Sequence, residues 1–171
     1  MHLSGLAKTP TTATLKEIGD GSRGTLDTLK AMRALTRNGK SSLPVRQLAA
    51  SLVNGARQKD YAKELQIIHG YVRDRIRYVR DIRGVETLQI PEKTLEFGFG
   101  DCDDKSVLVA SMLESIGHPT RFVAMGFRGG EFQHVYVVTR LGNKWIGVEC
   151  TEPVGLGWTP ANVTSRMVVH N

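Results

Sequence analysis

The chain is predicted to be α+β, with helices first, then a helix that opens on a cysteine, then an antiparallel run of strands. Three observations carry this. Apolar residues recur at helical spacing between residues 25 and 79. Gly100-Asp101-Cys102-Asp103-Asp104 opens an apolar stretch, Ser106-Val107-Leu108-Val109-Ala110-Ser111-Met112-Leu113, that stops at Gly117. From Thr120 onward the pattern becomes strand-like, with turn signals at Arg128-Gly129-Gly130 and Leu141-Gly142-Asn143. Helices and strands segregated along a chain argue for α+β packing, not for an alternating parallel-sheet fold.

Residues 1–24 are rich in Thr, Gly and Ser and carry Pro10, which predicts a flexible N-terminal arm. A first helix is expected over 25–38, where Leu26, Leu29, Met32 and Leu35 share a face and Asn38-Gly39 stops the run. Pro44 at a first turn starts a second, to about Gly55, on Val45, Leu48 and Leu52. Asp60 is a plausible N-cap for a third, whose stripe runs Leu65, Ile68, Val72, Ile76, Val79, with Arg73, Arg77 and Arg80 opposite. Residues 81–99 read as a loop with one short turn. The cysteine helix spans Cys102 to Ile116. Strands are expected over Arg121–Phe127, Glu131–Arg140 and Lys144–Cys150, and Thr151–Asn171 reads mostly as loop. This divides the chain into an arm (1–24), a helical segment (25–58) and a catalytic domain (59–171).

At 171 residues and 40% apolar, the chain suits one domain with a real core. The start carries no long apolar segment, and no run approaches the ~18 residues of a membrane span, so a cytoplasmic protein without membrane contact is expected. Two cysteines are too few for a disulfide framework, and a Cys102–Cys150 bridge is disfavoured under reducing conditions. The net charge of +6 is uneven: residues 1–85 hold 16 Lys/Arg against 7 Asp/Glu, residues 86–171 hold 7 against 10. A basic front can serve nucleic acid or an acidic partner, although a solvated helical face is the plainer explanation.

Cys102 is the candidate nucleophile. A helix start has unpaired N–H groups and a positive dipole end, both of which favour a thiolate. Buried cysteines are commonly small core residues, but this one lies among carboxylates behind a glycine. The same aspartates oppose the thiolate and raise a neighbouring imidazole. A metal site from Asp101, Asp103 and Asp104 is the competing explanation, but the spacing of a calcium loop is missing. His134 is the candidate base, on a strand face with Phe132 and Tyr136; His69, within a helix, and His118, beside Pro119, suit the role less. Glu149 shares a face with Trp145 and Gly147 and can orient the imidazole, with Glu152 as rival and Cys150 turned into packing. An oxyanion hole would use the Cys102 N–H and a second donor from Gln89 or from a backbone N–H between Phe97 and Asp101.

These segments resemble a known family. Gly100-Asp101-Cys102-Asp103-Asp104, the helix to Gly117 and Thr120-Arg121-Phe122-Val123 are similar to the cysteine motif of the transglutaminase-like superfamily. His134-Val135-Tyr136-Val137-Val138 resembles its histidine strand, and Trp145-Ile146-Gly147-Val148-Glu149-Cys150-Thr151 its third motif. The resemblance covers about residues 60–155. It implies a papain-like core with the catalytic helix packed on an antiparallel sheet, and a triad of Cys102, His134 and Glu149. Glu149 stands where the family usually has Asp, and Val135 where an aromatic often follows the histidine. Leu43-Pro44-Val45-Arg46 and Tyr78-Val79-Arg80-Asp81 resemble small members encoded by phages and prophages.

The implied activity is thiol-dependent acyl transfer on peptide, isopeptide or glutamine amides, hydrolysis being the simpler outcome and cross-linking the other. It needs no cofactor or metal, and its partner is a protein or peptide substrate. The contrasting expectation is a catalytically idle phage assembly protein, virion-associated, whose basic front contacts nucleic acid.

Overall fold

The computed structural model describes residues 21–81, 87–127, 129 and 131–170. Of the arm expected over residues 1–24, residues 1–20 lie outside them, as do part of the 81–99 loop and Arg128 and Gly130 of the first turn; residues 21–24 are not arm but the first turn of a helix that starts at Gly21, four residues earlier than expected. The element order is α1 (Gly21–Gly39), α2 (Leu43–Val53), α3 (Tyr61–Arg75), β1 (Arg77–Tyr78), α4 (Pro91–Phe97), β2 (Phe99–Gly100), α5 (Cys102–Ser115), β3 (Thr120–Gly126), β4 (His134–Leu141), β5 (Lys144–Val148) and β6 (Ser165–His170).

α5 is the hub. All its residues from Asp104 to Leu113 are buried, and α1 to α4 each pack on it. Its other side meets an antiparallel sheet of order β5-β4-β3-β6. One core runs from Leu29 and Met32 of α1 and Val45 of α2, through Ile68 and Val72 of α3 and Leu108 and Met112 of α5, to Phe122, Val135, Val137 and Val148 of the sheet. Val123, Met125, Tyr136 and Val138 form a smaller cluster on the far face.

Several expectations are corrected. α3 begins as expected, with the Asp60 side chain accepting from the Lys63 N–H at 3.1 Å. It ends at Arg75, although the apolar period continues to Val79. In a longer helix the Arg77 N–H would donate to the Arg73 carbonyl. Instead it donates to the Gly98 carbonyl at 2.9 Å. The Lys105 ammonium donates to the Arg73 carbonyl at 3.3 Å and to the Ile76 carbonyl at 2.6 Å. Tertiary partners thus take both ends of the bond that would extend the helix. Arg77 enters β1, paired in parallel with β2, and the Arg73-Arg77-Arg80 stripe does not form. Arg73 itself is tied to Asp74 at 2.6 Å and to the Val154 carbonyl at 2.7 Å.

The 81–99 region contains α4, which starts on Pro91 and is closed by Gly98 in the left-handed region at φ 69°. The tail contains β6, antiparallel to β3 with Val123 opposite Val168. β4 starts at His134, three residues later than expected. Phe132 therefore packs on the main core while Tyr136 belongs to the far face, and the two do not share a side. β5 ends at Val148, leaving Glu149 and Cys150 just beyond it.

Candidate active site

Asp101 caps α5: its side chain accepts from the Asp103 N–H at 2.9 Å and the Asp104 N–H at 3.1 Å. Asp104 reciprocates by accepting from the Asp101 N–H at 3.3 Å, which completes a capping box. Asp104 is 1% exposed and also accepts from the Gln89 backbone N–H at 2.7 Å and the Gln89 side-chain amide at 2.8 Å. Gln89, a candidate oxyanion donor, is thereby drawn to Asp104. A Cβ on Gly100 would come within 2.6 Å of the Asp104 Cβ, so the glycine allows this close approach. Burial pushes the Asp104 carboxyl up, and pushes Asp101 up to about 6, against the backbone N–H bonds both receive. Two of the three aspartates therefore build the helix start. Asp101, Cys102 and Asp103 each offer one ligand atom within 4.8 Å of one another. Two carboxylates and a thiol fit poorly with a calcium ion, which takes about 6–8 oxygens.

Cys102 stands on the first turn of this helix. Its sulfur lies 3.5 Å from an Asp103 carboxylate oxygen, and the backbone N–H of Val135, the residue after His134, favours its ionised form. Burial, then the charges of Asp103 and Asp101, push the thiol well above its ordinary value, and the Val135 N–H offsets only part of this. Desolvation and two carboxylates thus oppose the thiolate that a helix start by itself favours.

The β4–β5 register sets Val148 opposite Val137, and Glu149 beyond it reaches back to the start of β4. Its carboxylate meets His134 Nε2 at 2.6 Å. The Thr151 N–H at 2.5 Å and the Glu152 N–H at 3.4 Å donate to its other oxygen. Burial alone would raise the Glu149 carboxyl, but the His134 hydrogen bond and charge and the two backbone N–H groups hold it below its ordinary value. An ionised Glu149 accepts, so His134 Nε2 carries the proton and Nδ1 is the basic nitrogen. Glu152, the rival carboxylate, contributes its backbone N–H. Cys150 is 4% exposed within the main core, and both cysteines are free thiols.

Two residues hold the site in roles that the sequence did not suggest. His69, 2% exposed on α3, bonds through Nε2 to the Glu149 carbonyl at 2.6 Å. Burial lowers its pKa, so it is a neutral donor that holds the Glu149 backbone. Its position on the Leu65–Ile68–Val72 face was the available signal. Lys105, 2% exposed, ties the nucleophile helix to the end of α3, and burial lowers its basicity. A lysine three residues after the cysteine, at the head of an apolar helix, was its signal. His118, the other histidine set aside as a base, is engaged by Glu64 at 2.7 Å and by the edge of Tyr61.

Solved structures share this fold. A calcium-bound LapG of Legionella pneumophila superposes with TM-score 0.55 at 14% identity, covering 78% of this chain and 80% of that one. A candidate protease of Parabacteroides distasonis gives TM-score 0.58 at 14% identity over 75% of this chain, which spans only 27% of that protein's length. A candidate cysteine protease of Cytophaga hutchinsonii gives 0.52 at 16% over 75% of this chain and 46% of that one. No curated protein matches the chain by sequence. The model of one protein family matches residues 46–150, from α2 through Cys102 and His134 to the residue after Glu149. The chain belongs to the transglutaminase-like superfamily.

Proposed function

We propose that the protein is a thiol-dependent acyl-transfer enzyme of the peptidase kind, using Cys102, His134 and Glu149. One observation carries this reading: the 2.6 Å contact of His134 Nε2 with an ionised, buried Glu149, at the strand start that the cysteine helix meets through the Ser106 hydroxyl and the Val135 carbonyl at 3.4 Å. His134 Nδ1 takes the thiol proton as Cys102 Sγ attacks the carbonyl carbon of an amide. The Cys102 N–H, at the helix start, stabilises the oxyanion. The imidazolium returns the proton to the leaving nitrogen, the C–N bond breaks, and a thioester remains. Water, deprotonated by His134, then hydrolyses it and frees the thiol. Hydrolysis is the simpler outcome; a lysine amine in place of water would give a cross-link. The neighbours' protease-like descriptions agree with a protein or peptide substrate.

A second reading is favoured by one observation, the raised Cys102 thiol: the same fold as a binding module with the three side chains idle. Incubation with a proteome-derived peptide mixture and mass spectrometry of the products separates the two. The peptidase reading expects cleavage by the wild type and none by Cys102→Ala. Incorporation of a fluorescent primary amine without cleavage would indicate transamidation instead. No reaction of either kind would leave the binding module.

A further inference from the structure

His134 also borders a cleft of about 290 Å³ whose other walls include Phe127, Val154, Trp158, Pro160 and Glu152. Its outer wall is the segment after Glu149, and that segment is pinned. The Gly157 N–H donates to the Gly147 carbonyl at 2.8 Å, and Arg73 donates to the Val154 carbonyl at 2.7 Å. A Cβ on Gly147 would collide with the Trp158 carbonyl, so glycine in β5 lets the segment lie flat against the strand. Trp158 nevertheless remains 38% exposed.

The chemistry decides which half of a substrate this cleft receives. In acyl transfer the imidazolium protonates the departing amine, so the leaving half lies on the histidine side and the acyl half on the sulfur side. The cleft is walled by His134 and not by Cys102. Its volume lies just under the ~300–1,000 Å³ range of sites that enclose a whole small molecule, which suits one large side chain. The walls are apolar apart from His134 and Glu152, whose charge favours a cation.

Resting on the acyl-transfer reading, we propose that this cleft is the leaving-side subsite. It selects peptides with a large apolar residue directly after the scissile bond and a lysine or arginine next to it.

The test maps cut sites in bacterial proteome peptides prepared with a glutamyl-specific endopeptidase, which leaves lysines and arginines internal. Wild type should enrich Leu, Met or Phe directly after the cut, with Lys or Arg following. Trp158→Ala should lower kcat/KM about tenfold or more on such peptides. Glu152→Lys should turn the preference for the following residue from cationic to anionic, by about two- to fivefold for a solvent-facing pair. Both side chains face solvent; if Trp158→Ala misfolds, the charge reversal carries the test. Cleavage with no leaving-side preference, or with one unmoved by either substitution, overturns the subsite and leaves the reaction standing. No cleavage by the wild type removes the reaction reading and the subsite with it.

Discussion

Replacing Lys105 by Met probes how the nucleophile helix is anchored. The ammonium is 2% exposed and donates to the Ile76 carbonyl at 2.6 Å and the Arg73 carbonyl at 3.3 Å. Hydrogen bonds from a charged donor contribute about 1.5–3 kcal/mol each. The shorter bond earns the full value; the longer one, beyond the usual range, less. Against them stands the desolvation of the ammonium, visible in its lowered basicity. Met matches the length of the stem but leaves two carbonyls at the end of α3 without this partner, each costing about 1–3 kcal/mol where it stays buried. The balance is a loss of about 2–4 kcal/mol out of the ~5–15 kcal/mol of a typical domain. With a urea slope of about 2 kcal/mol per molar, the middle of the usual range, the midpoint should fall by about 1–2 M. An unchanged or raised midpoint would refute the reasoning, because the ammonium would then cost as much as its bonds return.

Other substitutions test the electrostatics of the helix start. Asp103→Asn removes a charge 3.5 Å from the Cys102 sulfur, and the pH midpoint of Cys102 alkylation should fall by about 1–3 units; a rise or no change contradicts the cause assigned to the raised thiol. Asp101 titrates at about 6 in the folded chain against an ordinary 3.8. The folded state takes this proton first, so the destabilisation is fully present above about pH 6 and is relieved as pH falls toward 4. Asp101→Asn keeps an N-cap residue and removes that ionisation, so the wild-type-minus-variant stability difference should change across this window in urea titrations and be flat outside it. His69→Leu leaves the Glu149 carbonyl without its buried donor and should cost about 1–3 kcal/mol in urea denaturation; a neutral result would show that His69 does not hold this segment.

Where the cause of an element is local, residues alone reveal it. Asp60 caps α3 through its own side chain, Gly117 ends α5 at φ 97°, and the alternation after Thr120 gives three strands to within a few residues. The approach of Glu149 to His134 follows from strand order across the Gly142 turn. Non-local causes were not legible. The end of α3 depends on Lys105 and Gly98 taking both partners of one helical bond, and nothing near Arg75 announces it. α4, at seven residues, is too short for a period, although Pro91 and Gly98 bracket it. β6 alternates, with Arg166, Val168 and His170 outward, but it follows a Gly- and Pro-rich stretch that reads as loop. The Cys102 shift is legible in part: the opposing charges of Asp101 and Asp103 adjoin it in sequence, whereas the burial that leads the shift comes from the packed fold. His69 and Lys105 looked like ordinary polar residues on apolar helices until the carbonyls they serve were in place.

The most direct test of the coupling of Cys102, His134 and Glu149 is the rate of Cys102 alkylation by iodoacetamide across pH, mapped by mass spectrometry in a Cys150→Ala background. If His134 Nδ1 is the base for the thiol, labelling near pH 7 should slow by about a hundredfold or more on His134→Ala, with the folded fraction unchanged. Equal rates with and without the imidazole, both rising only at the pH where the buried thiol ionises unaided, would contradict the account.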